Sequence, residues 1–68
     1  MELNTFAQKL RYLRLERNLN QHEFANLLNR SFTSVCYWEQ GNLIPKTETI
    51  KEIAEVLNVD YTYFKDQE

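Results

Sequence analysis

The sequence is poor in the residues from which catalytic and metal sites are built: it holds one cysteine, one histidine, one glycine and one proline. A single thiol, Cys36, excludes an internal disulfide and fits a reducing compartment better than a secreted scaffold. One glycine leaves no glycine-rich loop to cradle phosphate. One histidine and one cysteine leave little with which to build a triad or a metal site, and no convergent set of nucleophile, base and metal ligands stands out, so an enzyme is not expected and no cofactor is implied. No apolar run approaches the roughly 20 residues that span a bilayer. Met1-Glu2-Leu3-Asn4 lacks the basic start and apolar core of a signal segment, so a cytoplasmic protein without membrane contact is expected.

What is present suits one small folded unit. Sixty-eight residues are enough for a single domain, 1–68, and 43% of them are hydrophobic, ample for a core. A chain this short buries a modest fraction of its surface and is marginally stable. The net charge of −2 is unevenly spread. Residues 1–46 hold six bases (Lys9, Arg11, Arg14, Arg17, Arg30, Lys46) against four acids, whereas residues 47–68 hold two bases against six acids. A mildly basic end and an acidic end are expected where only one face meets phosphate, although a solvated acidic face explains residues 48–68 as simply.

With little glycine or proline to punctuate it, the chain is divided by caps and periodicity. Thr5 and Gln8 form a capping-box pattern, and Phe6, Leu10, Leu13 and Arg17 follow at helical spacing, so a first helix ends near Asn18. Asn20 and Glu23 repeat the pattern for a second helix at about 21–29, with Phe24, Ala25 and Leu28 on one face. Ser31 is a good N-cap for a third helix from Phe32 to about Glu39, stopped by Gly41. A fourth begins at Lys46 or Thr47, carries Ile50, Ile53, Ala54 and Leu57, and stops at Asn58; Asp60 caps a short fifth with Tyr61 and Phe64. The expected fold is all-α, a compact bundle of five short helices. Its second and third helices are joined by a turn at Asn29-Arg30-Ser31, giving a helix-turn-helix over about 20–41.

The run Asn20-Gln21-x-Glu23-Phe24-Ala25-x-x-Leu28, followed by Ser31-x-x-x-Val35-x-x-Trp38-Glu39-x-Gly41-x-x-x-Pro45, resembles the phage-repressor and Cro-like (XRE) helix-turn-helix family. The likeness extends through Ile53-Ala54-x-x-Leu57-x-Val59 and upstream to Leu10-x-x-x-Arg14. It implies a lambda-repressor-like fold and sequence-specific binding of double-stranded DNA, with repression by operator occupancy as the family default. By the same resemblance, Arg14 and Glu39 form a structural ion pair between helix 1 and the end of the reading helix. Asn20 and Gln21 lie at a phosphate, and Ser31, Phe32, Thr33 and Tyr37 point into the major groove. Arg30, Asn42 and Lys46 meet phosphate around the ends of the reading helix. The sequence departs from the family's usual glutamine, arginine, lysine or asparagine at base-reading positions: Phe32 suits a thymine methyl, and Tyr37 reaches one base edge or a phosphate. Weak or shape-assisted specificity, sharpened by dimerisation, is therefore expected.

Other residues read more plainly. Trp38 belongs to the core, Cys36 is a partly covered small residue, and His22 is a solvated helix residue. Leu43 and Ile44 are aliphatic in a loop, where polar residues are usual. Either they fold back on the core or, with Tyr61, Tyr63 and Phe64, they form the surface of a symmetric homodimer. Leu15 and Leu27 also fall on exposed positions. The alternative to a transcriptional regulator is a protein-interaction module, such as an antitoxin-like chain binding a protein partner through its apolar and acidic second half.

Overall fold

The computed structural model describes residues 5–65, which fold into five helices: α1 (Phe6–Glu16), α2 (Gln21–Leu28), α3 (Phe32–Gln40), α4 (Thr47–Leu57) and α5 (Thr62–Lys65). Four of the five begin at the side-chain caps read from the sequence, among them α5, where Asp60 accepts from the Thr62 amide at 3.0 Å. The Thr5 hydroxyl accepts from the Gln8 amide at 3.1 Å while Thr5 N–H donates to the Gln8 side chain at 3.3 Å. Asn20 and Glu23 make the same reciprocal pair at 2.7 and 2.9 Å, and Ser31 accepts from the Ser34 amide at 3.1 Å. These bonds satisfy amides that the first helical turn leaves without a carbonyl. Lys46 precedes α4 without a side-chain cap.

The helices stop where the chain turns left-handed. Asn18, Asn29 and Asn58 have φ of 58°, 58° and 59°, and Gly41 has φ of 81°. Asparagine tolerates this region because its short amide bonds locally, so the sequence closes three helices without spending a glycine. The turn from α2 into α3 is pinned by Arg30 N–H donating to Ala25 O at 2.9 Å.

One core gathers a stripe from every helix: Phe6, Leu10 and Leu13; Phe24, Ala25 and Leu28; Val35 and Trp38; Ile53, Ala54 and Leu57; and Phe64. The methyl of Ala25 is buried at the junction of α2 with the rest, where a larger side chain would push the helices apart. Ile50, Leu19, Val59, Tyr61 and Tyr63 pack partly buried on the rim. Of the residues expected on a shared apolar surface, Phe64 is corrected by the structure: it is buried, with its ring 5.1 Å from Phe6. α5 is too short to stand alone, and Phe64 is the anchor that holds it to α1. Leu43, Ile44, Leu15 and Leu27 are exposed.

Three cations work inside the fold. Lys9 is buried and donates from Nζ to Tyr63 O at 2.8 Å. Arg17 donates to Leu57 O at 2.7 Å and to Leu13 O at 3.0 Å, closing the C-terminal end of α4 where the helix leaves carbonyls unpaired and a partial negative charge. Arg14 bridges α1 to α3, as described below. The basic half of the sequence is thus partly a bundle fastening, which is why net charge by segment overstates the charge on its surface.

Candidate nucleic-acid interface

The outward face of α3 is set by what its inward face buries. Val35 and Trp38 enter the core; with 3.6 residues per turn this leaves Phe32, Thr33, Tyr37 and Gln40 on the opposite strip, and all four are exposed. Cys36 lies half-buried between them and the N-terminus of α2.

That N-terminus is fastened to the end of α3. Arg14 donates from Nε to Glu39 at 2.8 Å and from Nη2 at 3.1 Å, and from Nη1 to Leu19 O at 2.9 Å. The Gln21 amide donates to the same carboxylate at 3.1 Å. The Arg14 and Glu39 side chains are 11% and 3% exposed. A forked guanidinium on a nearly dry carboxylate fixes α1 and α3 at one angle. Cys36 Sγ lies 3.5 Å from Gln21 Oε1, completing the cluster. Arg11, Arg14, Gln21, Glu39 and Gln40 line a shallow notch of about 290 Å³ beside it.

This arrangement changes the positions of several expected DNA-facing groups. Gln21 spends its side chain on Glu39, so what it offers at the end of α2 is main-chain N–H, with that of His22 beside it. Asn20 and Ser31 are occupied as caps. Arg30 is ion-paired with Glu52 on α4. Asn42 donates to the Gln40 side chain at 2.9 Å, and Lys46 is exposed at the start of α4. Thr33 and Tyr37 stand on the open strip of α3. Phe32 is not a free ring: it stacks on His22, centroids 3.8 Å apart and planes within 4°. His22 is therefore a solvent-facing residue that covers a neighbouring ring rather than a merely solvated one.

Sequence reasoning passed over two residues and one contact here. Gln40 lies three positions after Tyr37 and seven after Thr33, a spacing that marks the same strip. Arg11 is exposed on the notch, four residues behind Leu15 on the outer side of α1. The His22–Phe32 contact joins two helices and had no local signal. Among the described residues, no three of His, Cys, Asp and Glu come together as a metal site, and no helix is long and apolar enough to cross a membrane.

Comparison with known proteins gives one picture. A helix-turn-helix family model matches residues 10–64. The chain is 39% identical over 54 residues to the cryptic phage CTXphi transcriptional repressor RstR of Vibrio cholerae, covering 79% of this chain and 49% of that protein. It is 37% identical over 54 residues to the HTH-type transcriptional activator BcrR of Enterococcus faecalis, covering 79% of this chain and 26% of that one. It is 35% identical over 60 residues to the HTH-type transcriptional repressor RghR of Bacillus subtilis, covering 87% and 44%. In three dimensions it resembles a crystal structure of an HTH_3-family transcriptional regulator from Vibrio cholerae, with TM-score 0.80 and 27% identity over 94% of this chain and 37% of that one. The chain thus spans half or less of the length of each of these relatives.

Proposed function

The chain belongs to the helix-turn-helix family, and from that membership we propose that it is the DNA-binding unit of a transcriptional regulator, reading the major groove with α3. The observation that carries this reading is the division of α3 into a buried side, Val35 and Trp38, and an open strip of Phe32, Thr33, Tyr37 and Gln40 beside the N-terminus of α2. Backbone amides of Gln21 and His22 take one phosphate at that terminus, and Lys46, Arg11 and Asn42 meet phosphate around it. Thr33, Tyr37 and Gln40 meet base edges; Gln40 offers a donor and an acceptor to adenine once Asn42, which donates to its Oε1 in the free protein, turns to phosphate. Asn20, Ser31 and Glu39 act through the geometry they hold.

Operator occupancy is the mode proposed, following the repressors RstR and RghR, whereas BcrR is an activator, so the sign of regulation belongs to the promoter arrangement. Two copies present two reading helices to half-sites about one turn apart, in an assembly built on exposed Leu43 and Ile44 with Tyr61 and Tyr63 at its rim. The same apolar groups would serve a heterologous protein partner if the chain acts as an interaction module.

The experiment is selection of binding sites from random duplex DNA, followed by salt titration on the recovered sites. A palindromic consensus is expected. The salt slope is shallow for this family of contacts: with Arg14, Arg17 and Lys9 held inside the fold, about two to three cations per protomer face phosphate, so log K falls with log salt at a slope of about −2 to −3 per protomer. No enrichment at low salt would refute DNA reading and leave the protein-partner reading.

A further inference from the structure

We propose that His22 is a positioning residue for base recognition: its ring, stacked on Phe32, fixes that side chain so that a single face of it meets a thymine methyl. The inference rests on the DNA reading above and adds a residue to it.

Phe32 is the first residue of α3 and His22 the second of α2, so the pair spans the two helix ends that a helix-turn-helix turns toward DNA. Parallel planes within 4° at 3.8 Å make full face-to-face cover, so one side of Phe32 is closed to any ligand. Phe32 nevertheless stays 39% exposed. An unsupported phenylalanine at an exposed first helical position would sample several χ1 rotamers, and freezing it on binding would oppose affinity. The His22 plate removes those alternatives before DNA arrives. What stays exposed of the ring lies on the strip that carries Thr33 and Tyr37. Among the bases, only thymine displays a methyl in the major groove. The two rings come from separate helices, so the contact exists only when the turn at Asn29-Arg30-Ser31 is closed as observed.

The test uses the whole chain and a duplex recovered by selection, with uracil replacing one thymine at a time to delete the methyl and keep the pairing. The position read by Phe32 is the one whose preference disappears in Phe32→Ala. There, the wild type is expected to lose about fourfold on methyl deletion, the value of one buried methyl group. His22→Ala and His22→Gln, which removes the ring but keeps a polar group, should lose less than about twofold, and His22→Phe should restore the wild-type ratio. Each protein is read as the ratio of its affinities for the thymine and uracil duplexes, with a scrambled duplex run beside them to register any uniform change. A full methyl penalty retained in His22→Ala overturns the proposal. So does a uniform loss on every duplex, which marks a phosphate contact instead, or a wild type indifferent to methyl deletion at every thymine. A wild type that selects no consensus refutes the DNA reading itself and this proposal with it.

Discussion

Replacing Glu39 by alanine strands a guanidinium in a place with almost no water. Arg14 would lose both bonds to the carboxylate and keep only Leu19 O, and the Gln21 amide would lose its acceptor. The pair's side chains are 11% and 3% exposed, so bulk solvent does little to replace those bonds. Removing one partner of such a pair typically destabilises by about 3–5 kcal/mol. A domain of this length has a total stability of roughly 3–10 kcal/mol, so Glu39→Ala should leave the fold at the edge of unfolding. Arg14→Met should lose a similar amount by leaving the carboxylate with Gln21 alone. The double variant Arg14→Met/Glu39→Met should return to within about 2 kcal/mol of wild type, because neither charge is then buried unpaired. Trp38, the sole tryptophan and a buried one, reports unfolding in a urea titration. At a urea slope of about 1 kcal/mol per M, a 3 kcal/mol loss moves the midpoint by about 3 M. The wild-type minus Glu39→Ala difference should scarcely change between about 0.1 M and 1 M salt, since screening acts weakly on a desolvated pair. Additive single losses below about 1 kcal/mol each, or a difference that salt erases, would refute the reasoning and mark the pair as a solvated one of little consequence.

Arg17→Ala removes the donor that closes the α4 carbonyl end at Leu57 and should destabilise by about 1.5–3 kcal/mol in the same titration, with DNA affinity unchanged while the protein is folded. Gly41→Ala meets no steric obstacle, since an added Cβ would lie 4.0 Å from Ala7 Cβ, so its loss should be the left-handed backbone penalty of about 1 kcal/mol; Gly41→Asn should lose less, as the three asparagine stops suggest. The Tyr63 hydroxyl is pushed above its ordinary 10.0 by burial first and then by the charges of Tyr12 and Glu16. The fold therefore holds that proton more tightly than the unfolded chain does. The corresponding stability is complete below 10.0 and drains away as pH rises through the folded value, so Tyr63→Phe should flatten the fall in urea midpoint above pH 10.0.

The boundaries of α1 to α4 were legible in the sequence because each is decided by neighbours in the chain. A capping box acts over three residues, an asparagine or glycine stop over one, and an apolar stripe over consecutive turns; Thr5, Asn20, Ser31, Asn18, Asn29, Gly41 and Asn58 all act as their local chemistry dictates. The outward residues Phe32, Thr33 and Tyr37 of α3 were reached through the family resemblance, whereas Gln40, which the same helical period places beside them once Val35 and Trp38 turn inward, was passed over. Arg14 with Glu39 was reached through a whole-chain resemblance, since nothing local links positions 25 residues apart. The tertiary structure alone decided which charges and rings are spent inside the molecule. Arg17 reaches across to Leu57, Lys9 to Tyr63, Arg30 to Glu52, Gln21 to Glu39, and His22 lies flat on Phe32. Phe64 was taken from a presumed surface into the core by the same closure. Side-chain type and helical period say which way a residue points on its own helix, but long arms such as arginine, lysine and glutamine choose among partners that packing brings within reach. Those choices, made between helices, determine how little positive charge is left on the surface.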